Sequence, residues 1–269
     1  MSQPFLFDAC CIVGAAVTAA AYAIGLTKLA AKGVSISRRS VILFAAGWLC
    51  AILPVLSPLH DLGHSVFWLH MVEHELLILV AAPLFVLARP GPIFLWALPR
   101  PAVDVVRNWL LAPATRTLWA RITQPGAAVL LHGVALWIWH APFLFEAALT
   151  SAPAHLTQHL SFFVPALLFW WSLLSRRRLS ANPASAVMAL FATALHTSLL
   201  GLLMTVSSSV WYPFASDPFP ICGLTRIEDQ QIAGLIMWVP GTAVYLLAAL
   251  WLLGRYLVIR EHAYDSPRR

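Results

Sequence analysis

Seven runs of mainly apolar residues divide this sequence, at roughly 5–29, 40–58, 65–88, 125–146, 155–174, 184–206 and 231–256. A bilayer core is about 30 Å thick, so a helix crosses it in about 20 apolar residues. Each run nears or meets that length. A water-soluble chain would have to cover such runs with polar surface, and this one holds only 17 Lys and Arg and 11 Asp and Glu in 269 residues. The expected fold is therefore an all-α polytopic membrane protein, a bundle of about seven transmembrane helices forming a single transmembrane domain over residues 1–269. Met1 is followed by no basic stretch and Asp8 interrupts the start, so the first run reads as a retained span rather than a signal peptide.

The basic residues orient the bundle, because Lys and Arg are retained on the cytoplasmic side. With seven spans, sixteen of the seventeen fall on one side: Lys28 and Lys32 with Arg38 and Arg39, the five arginines of 89–124, Arg176 to Arg178, and the four of the C-terminal end. Arg226 alone falls on the other. This puts the N-terminus outside and the C-terminus in the cytoplasm. The net charge of +6 is then a topology signal, and a nucleic-acid partner would meet the wrong geometry. The segment 89–124, with its prolines and alternating apolar and basic residues, reads as a broken amphipathic stretch lying along the membrane surface. The outer loop 207–229 is rich in Pro and aromatic residues, which suits an interfacial cap.

Titratable groups concentrate in HDLGHSVFWLHMVEHE, residues 60–75, beside the apolar run LLILVAAPLFVLA. Placed by depth, His60, His64, His70, His74, His140, His155 and His159 gather at the outer leaflet, while His132 and His196 lie nearer mid-membrane. The pairs His60/His64, His70/His74 and His155/His159 are each four residues apart, so each shares a helix face wherever the backbone is helical. Imidazoles at that spacing can converge on one metal ion, or each pair can supply one ligand to a cofactor between helices. Glu73, Glu75, Asp61 and Glu146 are candidate acceptors that would fix imidazole tautomers. Exposure of these groups to lipid would cost several kcal/mol each, so they should face the bundle interior or a wet cavity. The alternative is structural: interfacial histidines anchor at headgroups, and buried ones bond a neighbouring helix. Met71, Met204, Met237, Cys10 and Cys11 lie towards the same side, a soft donor set that prefers copper to zinc. The four cysteines contain no CxxC pair and read as small apolar fillers.

Four blocks resemble the bacterial CtaG-type cytochrome c oxidase assembly factor family: HMVEHELLILVAAPLFVLA (70–88), IWHAPFLFEAAL (138–149), HLTQHLSFFVPALLFWWSLL (155–174) and EDQQIAGLIMWVPGTAVYLLAALWLL (228–253). They occur in the family's order over roughly residues 40–256. The resemblance implies a multi-pass protein of the cell inner (plasma) membrane that helps mature a haem-copper oxidase, with oxidase subunits as partners and copper as the metal handled. It also carries the family's histidines onto His70, His74, His155 and His159 with His140 between them, and its acid-glutamine block onto Asp229, Gln230 and Gln231. Glu73 and Glu75 depart from the family pattern. On physical grounds Thr225 or Asp229 should cap the last span, Gln230 and Gln231 should bond across to neighbouring helices or near the histidines, and Pro240 should kink the helix.

Four functions compete. The first is a copper-handling assembly factor without enzymatic turnover, holding the ion through His70, His74, His140, His155 and His159, supported by Glu73, Asp229, Gln230, Gln231, Met237, His60 and His64. The second is a haem b protein with axial histidines from two helices. The third is an intramembrane zinc protease, since HMVEH matches H-x-x-E-H. The fourth is a scaffold without metal.

Overall fold

The computed structural model describes residues 3–56, 58–63, 65–175, 183–212 and 223–265, and the described residues are helical with no strand among them. Helix α1 (Gln3–Ala31) and α2 (Arg38–Leu56) lead to the short α3 (Pro58–Gly63). The third run is one continuous rod made of α4 (Phe67–Glu75), a π-helical turn (Leu76–Ala81) and α5 (Ala82–Ala88). Three short helices follow, α6 (Gly91–Ala97), α7 (Arg100–Leu111) and α8 (Pro113–Ile122). The second half holds α9 (Pro125–Trp139), α10 (Pro142–Thr150), α11 (Ala152–Leu174), α12 (Pro183–Val206) and α13 (Arg226–Asp265).

Five of these rods are long and apolar enough to cross a membrane: Ala9–Ala31, Arg38–Leu56, Phe67–Ala88, Ala184–Val206 and Arg226–Val258. A sixth arises if α8 and α9, which meet at a 74° bend, count as one broken span. The two runs that differ from expectation do so for local reasons. The fourth ends as a helix at Trp139, because Pro142 cannot donate to a continuing ladder and the chain restarts as α10. The fifth, α11, is 23 residues long, but His155, Gln158 and His159 lower its apolarity. Those same residues are buried, as are Phe162, Phe169 and Trp170. It packs against α1, α5, the π-turn, α9 and α10 and is the central rod of the bundle.

Apolar side chains also cover the outside. Val17, Leu53, Leu130, Phe191 and Leu247 are all exposed, as suits a surface solvated by lipid. The segment 89–124 forms the expected broken amphipathic stretch, and neither α7 nor α8 buries a residue. The π-turn has a clear cause. Ala82 N–H bonds back to Leu77 O, five residues earlier. Pro83 has no N–H to offer Ile78 O. The indole of Trp170 on α11 donates to that carbonyl at 2.9 Å instead. Helices α12 and α13 form the closest pair, crossing backbone to backbone at Gly201 and Gly234, where an added Cβ on Gly201 would lie 2.7 Å from Gly234 O.

Candidate functional site

Helix α4 projects His70 and His74 on one face towards α11, and α11 returns His155 and His159. The four rings pack edge to face or stacked. Ring centres are 4.4 Å apart for His70–His74, 5.3 Å for His70–His155, 5.1 Å for His74–His159 and 4.6 Å for His155–His159. All four side chains are buried. His60, carried by α3, stacks on His155 at 5.2 Å and brings its Nδ1 to 3.3 Å from Glu73 Oε2.

His140 caps α9 and flanks the cluster across Phe145 and Phe162, whose ring centres lie 6.4 and 6.2 Å from its own. Its Nδ1 bonds to Leu136 O at 2.7 Å, leaving Nε2 buried without a hydrogen-bond partner among the described residues. His74 is the most exposed to cost: both of its ring nitrogens are buried without a hydrogen-bond partner among the described residues. So are both amide atoms of Gln158, between the α11 histidines. Leaving a buried polar atom unmatched costs about 1–3 kcal/mol. Buried, unmatched imidazole and amide atoms such as those of His74 and Gln158 can serve as ligands to a cation.

No group of three or more His, Cys, Asp or Glu side chains among the described residues is arranged as a metal site. In α11, His155 Nε2 and His159 Nε2 lie 2.9 Å apart in a hydrogen bond. Two nitrogens on one tetrahedral ion, each at about 2.0–2.1 Å, stand about 3.3 Å from one another. A few tenths of an ångström of separation would exchange that bond for ligation.

The supporting residues divide. Asp229 caps another helix rather than its own: its carboxylate accepts from Phe67 N at 2.8 Å and Trp68 N at 2.9 Å, the start of α4. Helix α13 is capped by Thr225 and Glu228 in a reciprocal box, Thr225 N donating to Glu228 Oε2 at 2.7 Å and Glu228 N to Thr225 Oγ1 at 3.3 Å. Gln230 and Gln231 bond the 207–211 segment instead of any histidine. Gln230 accepts from Trp211 N at 2.6 Å and donates to Ser209 O, while Gln231 donates to Ser207 O. That segment delivers Tyr212, whose hydroxyl donates to His140 O at 2.9 Å. Burial pushes the Tyr212 hydroxyl well above its ordinary pKa, which keeps it a donor. Sequence reasoning missed Tyr212 and Gln158; an aromatic in the 207–229 loop and an amide within an HxxxH pair were the available signals.

Met237 lies in the apolar core with Met71 and Met204. Glu75 turns from the cluster towards Gly241, and Glu146 is exposed. His64 and Cys222 lie outside the described residues, as does the Asp61 side chain.

A family model described as cytochrome c oxidase caa3 assembly factor matches residues 20–257. The chain belongs to that family. Comparisons with curated proteins and with solved structures give no match. The matched region contains all four blocks that carried the resemblance, together with every histidine of the cluster. A family described by oxidase assembly and a bundle of several apolar rods agree on a multi-pass membrane protein.

Proposed function

We propose that this protein serves cytochrome c oxidase assembly by holding a copper ion as cargo in the α4/α11 histidine cluster and releasing it to an oxidase subunit. In this reading α9 and α11 also cross the membrane, giving seven spans with the N-terminus outside, and the cluster opens towards the outer face of the cell inner membrane. The observation that carries it is the convergence of His70, His74, His155 and His159 from two helices into one buried cluster, with neither His74 nitrogen hydrogen-bonded among the described residues. The family supplies the process; the donor set supplies the ligands. Imidazole is an ordinary ligand of copper, as it is of zinc; copper is preferred because the oxidase served is a haem-copper enzyme, not because soft donors join the rings, since Met71, Met204 and Met237 lie in the apolar core. Binding and release require no turnover, so the protein acts as a carrier and not as an enzyme.

Ring packing favours a bare ion over haem, whose macrocycle must fit between its axial rings. Here the facing rings lie 5.1 and 5.3 Å apart, with Phe145 and Phe162 packed on His70 and His74. The protease reading is weakened by Glu73, which faces His60. The test is oxidase copper content in cells carrying His70→Ala/His74→Ala. It should fall severalfold while the variant remains in the membrane at normal amount. Unchanged oxidase copper would overturn the reading.

A further inference from the structure

Two histidines stand apart from the outer cluster, deep in the bundle. His132 is the eighth residue of the fifteen in α9, and His196 lies just beyond the middle of α12. Eight residues separate His132 from His140, which at about 1.5 Å per residue places the pair about 12 Å deeper along the helix. Their ring centres are 6.0 Å apart with planes inclined at 52°. His132 is 2% exposed. All four ring nitrogens are buried and have no hydrogen-bond partner among the described residues. The hydroxyl of Thr193, one turn before His196 and fully buried, is also unpartnered. Phe169 of α11 closes one side, its ring 5.7 Å from His132. The sequence admits His196 this close to α9 because the next residue, Gly133, has no side chain: a Cβ there would lie 3.3 Å from His196 Nε2.

We propose that His132 and His196 form a second ion site within the membrane, taking one two-coordinate monovalent d10 cation, namely Cu(I). Ring separation and charge both favour it. Two imidazoles bound end to end through bonds of about 2.0 Å place their ring centres about 6 Å apart, close to the 6.0 Å found, and binding requires one nitrogen of each ring to turn towards the other. Among the described residues no third His, Cys, Asp or Glu completes a site with them, so zinc, which takes four ligands, is poorly served. Both ligands are neutral, and the cost of burying an ion rises with the square of its charge. A monocation is therefore far less penalised here than any divalent metal. The polar groups would otherwise sit unmatched against Phe169 and lipid-facing helices. This site does not depend on copper binding by the outer cluster.

The test is Cu(I) titration against a competing chromophoric chelator, with the full-length protein in nanodiscs. Wild type is compared with His132→Leu/His196→Leu and with an outer-cluster variant, His70→Ala/His74→Ala/His155→Ala/His159→Ala. The mid-membrane variant should bind one equivalent fewer than wild type. The outer-cluster variant should retain one equivalent, with two nitrogen neighbours by X-ray absorption. Should either variant fail to fold, Ag(I) added to wild type labelled with 15N-histidine should shift the His132 and His196 ring signals. Gly133→Ala should weaken that site at least tenfold. No loss of an equivalent in the mid-membrane variant, or no Ag(I) shift at those two rings, would overturn the inference; binding only through the outer four would do so too, and would leave the proposed function standing. A mid-membrane equivalent with an outer cluster that binds none would have the reverse meaning.

Discussion

Asp229 shows how far a residue's effect can lie from its own helix. Its carboxylate receives the first N–H groups of α4, 162 and 161 residues upstream, where Val66 offers no side-chain cap. A capping carboxylate is worth about 1–2 kcal/mol, so Asp229→Ala should lower the unfolding free energy by that amount and Asp229→Asn by less. Thermal unfolding in detergent would show it; an unchanged melting temperature would refute the capping role. The importance of the EDQQ block was legible in the sequence, but its contacts were not. A cap supplied by a distant helix depends on tertiary placement, which spacing does not encode. His74 permits a sharper separation of function from stability. Because its nitrogens have no partner, His74→Leu should leave the melting temperature unchanged or raise it, while weakening Cu(I) binding at least tenfold. A marked loss of stability would mean that the ring is a structural bond.

The elements of the site were readable where periodicity governs them. The HxxxH spacing of 70/74 and 155/159 predicted shared helix faces, and α4 and α11 place the rings accordingly. Less legible was the interruption at His140, where Pro142 stops α9 short. The π-turn was hidden as well, since it needs both Pro83 and a donor from another rod. That donor gives an element-scale prediction. Trp170→Phe keeps the ring but leaves Ile78 O unmatched, which should cost about 1–3 kcal/mol in reversible unfolding; no change would mean that the carbonyl is satisfied otherwise. The α12/α13 crossing gives another. A Cβ on Gly234 would meet Gly201 O and Thr205 Oγ1, each at 2.5 Å, so backbone must move. Gly234→Ala should therefore shift the pair apart and lower the melting temperature by several degrees, more than Gly14→Ala, where a Cβ meets nothing within 4 Å.

At the scale of the whole molecule, an apolar exterior surrounds a core in which half of the buried polar residues, among those described, are histidines. Composition made the membrane class legible, because 60% hydrophobic residues with 10% charged ones cannot cover a water-facing surface. The number of spans was harder to read, since the central rod α11 spends its polar residues inward and so looks less like a lipid-facing helix than it is long. The bundle brings His60, His70, His74, His155 and His159 into ring contact, with His140 beside them. Ligation of one ion by these rings, as proposed, requires them to rearrange, the His155–His159 hydrogen bond opening among other changes. X-ray absorption of the full-length protein in nanodiscs, loaded with one equivalent of Cu(I) in the His132→Leu/His196→Leu background, tests this most directly. The predicted spectrum has three or four nitrogen neighbours at about 2.0 Å with imidazole outer-shell scattering, lost in His74→Leu/His159→Leu. Failure to retain copper, or retention with a spectrum unchanged by those two substitutions, would contradict a cargo site in the histidine cluster.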